Sequence, residues 1–333
     1  MYFLLGICLV FAFLLTLNIL ASFSASLLWR VISRPAKKLS SRKQEQIIFG
    51  LRAFPVGAAL VFVLAFMLPA YLLFEPEVSG ETVSAKLAII SLVCLIGIGI
   101  ASFRVFRTWL ATQQLTADWL KHSQPIALDE VSIPVYRMQH PFPVVAVVGM
   151  LRPRMFVADQ IFESLSPSEF RAAIAHEYGH LTAHDNFKRA FLRFCRDILI
   201  FPIGKDLDRA WSDNTEAAAD EYAASVGGNS MALDLAEALI KVARIVPENT
   251  RPAMPLASFM MGSNEGDLKR RIRRLLELSE RAGAVKKISL LKSQTSFWLC
   301  LILSLSVVIF LASNEDLLFS VHSVSENVVA ILQ

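Results

Sequence analysis

Four stretches of this chain, residues 1–29, 53–74, 87–103 and 293–314, contain no Asp, Glu, Lys or Arg. A helix needs about 20 apolar residues to cross the hydrocarbon core of a bilayer, so runs of this length commit the chain to a membrane fold. The third run is the shortest. Val105, Phe106, Trp109 and Leu110 extend it, with Arg104 and Arg107 snorkelling toward water. The first run has no basic leader and is too long for a signal-peptide core, so it is expected as a retained span. Composition agrees: 54% of residues are hydrophobic and only 19% charged, against about 25% charged in a soluble protein. An ordinary cytosolic enzyme, a disordered chain and a collagen-like repeat are excluded. The four cysteines, Cys8, Cys94, Cys195 and Cys300, show no close spacing, so neither a disulfide framework nor a cysteine metal site is expected.

Charge placement orients the four expected spans. Residues 30–52 hold Arg30, Arg34, Lys37, Lys38, Arg42, Lys43 and Arg52 against Glu45 alone, whereas residues 75–86 hold Glu75, Glu77 and Glu81 against Lys86. The tail after Asn314 is acidic, and Lys286, Lys287 and Lys292 precede the fourth run. Basic flanks stay in the cytoplasm. The expected topology therefore puts both termini outside and the 30–52 loop and the large central segment inside. The 30–52 stretch reads as a solvated loop touching anionic lipid, and no direct nucleic-acid binding is expected.

Four units are expected from this pattern. Residues 1–110 would form a membrane domain with three transmembrane helices, and 111–292 a cytoplasmic domain. Residues 293–314 would be the fourth span and 315–333 a short external tail. Within the soluble segment, 133–138, 144–148 and 155–157 read as short strands, with turn signals at Gly149 and Arg152-Pro153. Helical patterns follow over 167–200, 208–226, 230–245 and 266–283. The fold class is α+β: a polytopic helical membrane protein carrying a mainly helical domain with a small β-sheet.

The chemistry concentrates on one helix. Ser166-Pro167-Ser168-Glu169 is a helix start with a capping box and Pro at the first helical position. Beyond it lies His176-Glu177-Tyr178-Gly179-His180, an H-E-x-x-H pattern. Residues four apart share a helix face, so the two imidazoles can bind one zinc ion. Glu177 lies round the helix from them, placed to act as base toward water at the metal rather than as a ligand. The bland alternative is a pair of surface histidines. Gly179 speaks against it, because glycine inside a helix costs about 1 kcal/mol and is better explained by a close approach of another backbone or a substrate.

Zinc needs a third protein ligand. The metzincin spacing fails, since Ala183 and Asn186 stand where Gly and His would be required. His184 lies one turn beyond His180 but about 12 Å along the axis from His176, which suits a rim residue. Glu216 is the better candidate. With Asp220 it forms Glu216-Ala217-Ala218-Ala219-Asp220, two carboxylates on one face separated by small residues. Glu216 can complete a His₂Glu site, and Asp220 can accept the second N–H of a ligating histidine. An ordinary acidic helix face is the alternative.

With H-E-x-x-H followed by E-x-x-x-D, the chain resembles the gluzincin membrane metallopeptidases. Two families fit: the beta-lactam-sensor signal transducers, and the CAAX prenyl endopeptidase and heat-shock membrane proteases. The block from Gly149 to Val157 and the order of three spans, domain and one span look more like the sensor family. The resemblance implies a zinc endopeptidase with one Zn2+ per chain, His176, His180 and Glu216 as ligands and Glu177 as catalytic base. It makes Asp220 a partner behind the ligands and marks Asp185 as a recurrent acidic position, placed likewise behind the metal. Only 19 residues follow Asn314, so the penicillin-binding sensor domain of that family is expected to be lacking. The S-x-x-K matches at Ser40 and Ser289, and Ser212-Asp213-Asn214, read as coincidence. The expected setting is a bacterial-type inner membrane. The expected partners are the lipid bilayer and a protein substrate, such as a transcriptional repressor or a membrane protein. The rivals are a heat-shock-type quality-control protease and a signalling subunit that kept zinc and lost turnover.

Overall fold

In the computed structural model the described residues are 2–76, 83–128, 131–199, 203–245, 265–281 and 302–332. Three helices are long and apolar enough to cross a membrane: α1 (Tyr2–Ala36), α2 (Ser41–Phe74) and α3 (Ala85–Lys121). A π-helical turn over Val63–Met67 interrupts α2. It precedes Pro69, whose ring blocks the regular hydrogen bond to the carbonyl four residues back and favours such a widened turn. Ser84 caps α3 by accepting from the Leu87 amide. At 37 residues, α3 is about 55 Å long at 1.5 Å per residue. It outruns a bilayer core of about 30 Å. Its helical path continues unbroken across residues 110 and 111, where the sequence suggested a domain boundary.

The folded domain begins with a four-stranded mixed sheet of β1 (Ser123–Ile126), β2 (Val135–Met138), β3 (Val145–Val148) and β4 (Arg154–Ala158), in the order β1-β2-β4-β3. β2 runs parallel to β4 and the other pairs are antiparallel. The strand expected over 155–157 is longer, and β1 was not expected. Ser123-Gln124-Pro125-Ile126 lacks apolar alternation and is half exposed, and its proline is tolerated because the strand lies at an edge. β3 and most of β4 are buried, and join Leu235, Leu239 and Ala172 in the main core.

Four further helices complete the domain: α4 (Asp159–Ser164), α5 (Pro167–Thr182), α6 (Asp185–Asp197) and α7 (Lys205–Ile245), with α8 (Glu265–Arg281) beyond. Both halves of the capping box at Ser166 and Glu169 are formed, and Lys241 pairs with Glu169 at 2.6 Å. The expected single helix over 167–200 is instead two, because His184 takes left-handed angles (φ 57). Gly228 (φ 75, ψ −155) kinks α7 where the sequence suggested two helices. α5 and α7 share the most extensive helix–helix contact among the described elements. Gly179 permits it: a Cβ there would lie 3.2 Å from the Ala219 Cα and 3.2 Å from the Tyr222 ring.

The 30–52 stretch is largely helical rather than a loop, with Arg30, Arg34, Lys37, Lys38 and Lys43 exposed as expected. α1 extends to Ala36 and α2 starts at Ser41, and the first turns of α2 dock on α7. The Ser41 hydroxyl donates to the Glu221 carboxylate at 2.6 Å, and Arg52 pairs with Asp208 at 2.7 Å. Glu45 is buried and accepts from Lys188 at 2.9 Å and the Trp211 indole at 3.1 Å. Polar contacts at this depth fix one placement of the domain on the long apolar helices, since each buried group would be costly to leave unmatched.

The C-terminal segment also differs from expectation. Residues 293–301 of the expected fourth span lie outside the described ones. Ile302–Ala312 (α9) is followed, across a 76° bend, by Glu315–Leu332 (α10). The stretch expected as a short tail is thus a helix packed on the end of α2. Its Val329 joins Leu5, Leu9, Met67 and Tyr71 in a buried cluster.

Candidate metal centre

The capped start of α5 fixes the helix, and the helix brings His176, Glu177 and His180 to the interface with α7. All three are almost fully buried. The two imidazoles face each other with Nε2 atoms 3.3 Å apart. From α7, the Glu216 carboxylate places Oε2 3.7 Å from His176 Nε2 and Oε1 3.7 Å from His180 Nε2. Two ligands about 2.0–2.1 Å from one tetrahedral zinc ion lie about 3.3 Å apart. The triangle of His176, His180 and Glu216 therefore suits such an ion with little movement.

Asp220 and Asp185 sit behind this triangle. His176 Nδ1 donates to Asp220 at 3.0 Å, and His180 Nδ1 donates to Asp185 at 2.8 Å. With each Nδ1 hydrogen engaged, each Nε2 presents a lone pair inward, the arrangement that metal-binding histidines use. Asp185 stands five residues after His180 and could not reach it on a continuous helix. The left-handed turn at His184 redirects the chain and makes the contact. His184 itself is exposed, and its Nδ1 lies beside the Thr182 carbonyl.

Arg271 of α8 is the residue that sequence reasoning missed. Buried, it forks onto Asp220 with bonds of 2.7 and 3.0 Å. Its Nη1 lies 3.2 Å from Glu216 and its Nη2 3.3 Å from His176 Nε2. Its surroundings in sequence, Arg270 to Arg274, look like a solvated basic face, and only the packing of α8 on α7 reveals the buried member.

The charges explain the protonation of the site. Burial opposes ionisation of Glu216, but His180, His176 and Arg271 outweigh it and hold this carboxyl down at about 2. Asp220 is held well below the usual range, with Arg271 and His176 overcoming its burial. Burial and Arg271 act to lower His176, yet its bonds to Asp220 and Glu216 leave it raised. Glu177 is pushed up to about 8, chiefly by burial. Neither of its carboxylate oxygens has a hydrogen-bond partner among the described residues, although the Val147 backbone is close by. Glu216 and Asp220 thus contact the Arg271 guanidinium, with Glu177 near enough to feel its charge, while Glu216 and the two imidazoles turn their donor atoms toward one another. A divalent cation fits this donor set by distance and by charge.

Access is from the Glu216 side. A cavity of about 440 Å³ reaches Glu216 and Arg271 and is walled by further arginines, among them Arg189, Arg193 and Arg270, together with Asp208, Asp213 and Asp267. Arg270 pairs with two of these aspartates, Asp213 and Asp267. β3 lies at the sheet edge nearest α5, but it is buried. The Val147 and Gly149 carbonyls accept from the Asn186 amide at 2.9 and 3.3 Å. The β3 edge is thus partly engaged by this chain's own side chain.

Residues 135–279 match the family model described as peptidase family M48, a zinc-dependent metallopeptidase family. The matched segment contains the whole triangle, its supporting carboxylates and Arg271. No curated protein matches the chain.

Proposed function

We propose, from the M48 match over residues 135–279, that the chain is a membrane-bound zinc endopeptidase that hydrolyses a protein substrate. The triangle of His176, His180 and Glu216 carries the reading, because three ligating side chains converge with ring nitrogens 3.3 Å apart beside a buried, unpartnered glutamate. Held by His176, His180 and Glu216, a zinc ion would supply Lewis acidity toward the scissile carbonyl and toward water. Glu177 accepts the proton of the attacking water and returns it to the leaving nitrogen. Asp220 and Asp185 orient the two imidazoles, and Arg271 keeps Glu216 and Asp220 ionised. Six arginines against four carboxylates leave the cavity net positive, which favours substrate segments with acidic side chains.

The finer resemblance to the sensor-transducer family rests on the 149–157 block and the order of apolar runs. In that reading the substrate is a regulator protein. In the quality-control reading it is a membrane protein. Chelation tests the peptidase itself. Peptides with acidic residues near the cleaved bond should be hydrolysed by the full chain in detergent, lose cleavage in 1,10-phenanthroline, and regain it on adding Zn2+. Cleavage indifferent to the chelator would reject the assignment.

The orientation we favour places the folded domain in the cytoplasm and both termini outside, in a bacterial-type inner membrane. The basic residues of 30–52 support it, since the start of α2 docks on the folded domain while α10 packs at the other end of α2. A reporter active only in the cytoplasm should work when fused after Arg107, and one active only outside should work at Gly80. The reverse pattern would invert the topology.

A further inference from the structure

A second group of ligating side chains lies at the end of α2 far from the triangle, with no residue in common with it. Glu75 immediately follows α2, and His322 and Glu326 stand one turn apart on α10, four residues along one helix face as in H-E-x-x-H. One ligand atom of each lies within 4.8 Å of those of the other two. Since α2 spans 34 residues, its two ends are about 50 Å apart at 1.5 Å per residue.

Two observations separate this group from an ordinary acidic surface. Glu75 is only 7% exposed, and its carboxylate makes no hydrogen bond or ion pair with the described residues. His322 has a buried Nδ1 without a partner. Phe74 covers the imidazole, with ring centroids 6.0 Å apart, and meets Phe319 edge-on at 5.6 Å. A carboxylate taken out of water needs a compensating charge or hydrogen bond. None of the described side chains makes such a bond to Glu75, whereas a cation shared with His322 and Glu326 would supply the charge.

We propose that Glu75, His322 and Glu326 form a second divalent-metal site, of the zinc class, which clamps α10 onto the end of α2. One imidazole and two carboxylates make up a three-ligand donor set suited to Zn2+. Ca2+ takes six to eight oxygens, more than this group provides. The site has a mechanical sense. α10 follows a 76° bend from α9, and it is held on α2 mainly by apolar contacts that lack direction. A metal bridging two residues of α10 to one at the end of α2 fixes the axial position and rotation of α10 together.

Metal stoichiometry tests the proposal without any activity assay. Full-length protein in detergent is stripped with chelator, dialysed against Zn2+ alone and assayed for bound metal. Wild type should bind two ions per chain, and Glu216→Ala and His322→Ala one each. The double variant should bind none. Glu75→Gln, which preserves side-chain size, should reproduce His322→Ala and guards against misfolding of the latter. Zn2+ but not Mg2+ should raise the melting temperature of Glu216→Ala, and this shift should vanish when Glu75→Gln is added. Equal zinc content in Glu216→Ala with and without Glu75→Gln would overturn the second site. So would a Glu216→Ala protein that binds no zinc. Loss of an ion in His322→Ala but not in Glu216→Ala would preserve this site and remove the catalytic reading instead.

Discussion

Glu177→Gln is expected to leave metal content and melting temperature close to wild type while peptide hydrolysis falls by about 10² or more, the usual scale for losing a general base. The substitution preserves side-chain size and leaves the His176, His180 and Glu216 triangle untouched. It removes a carboxylate that burial pushes up to about 8 and whose oxygens have no hydrogen-bond partner among the described residues, so no structural bond is lost with it. The amide cannot accept a proton from the attacking water. Hydrolysis assays, metal analysis and thermal melting on one preparation check all three parts. A zinc-loaded Glu177→Gln chain that restored every phenotype of a deletion strain would show that proteolysis is not the biological role. The chain would then be a zinc-stabilised signalling partner.

His176→Ala, His180→Ala and Glu216→Ala should each remove the ion of the catalytic centre and abolish hydrolysis, because two remaining protein ligands hold zinc poorly. Asp220→Asn and Asp185→Asn should instead weaken zinc binding by about 10–100-fold without abolishing it, as changes behind the ligands typically do. Competition with a chromogenic chelator measures both classes. Full occupancy of the centre in Glu216→Ala would move the third ligand elsewhere. The exposed, left-handed His184 offers no replacement, since its ring lies against the Thr182 carbonyl. Asp220→Asn should also reduce thermal stability, because buried Arg271 would lose the nearer of its two charged partners and keep only Glu216.

Local regularities were legible in the chain itself. Uncharged runs of spanning length announce α1, α2 and α3, and Ser166 to Glu169 announces the start of α5. The four-residue periods of His176/His180 and Glu216/Asp220 announce two helix faces able to share a metal. Such signals are readable because a helix repeats every 3.6 residues, so spacing in sequence is already spacing in space. Gly179 was legible in kind, as a position that must admit a close approach. That the approaching group is the backbone at Ala219 emerged only from the packing of α5 on α7. The edge strand β1 was hidden because an exposed edge needs no apolar alternation. The docking of Ser41, Glu45 and Arg52 on the folded domain was hidden because a basic stretch reads as solvated until its partners are known. Asp185 reaches His180 only through the turn at His184, Arg271 enters the site from a helix about 50 residues beyond Asp220, and α10 folds back onto α2. Sequence determined the elements and the chemical groups they carry. Tertiary structure alone decided which distant charges meet, because burial and electrostatic pairing depend on through-space distance, which the order of residues does not encode.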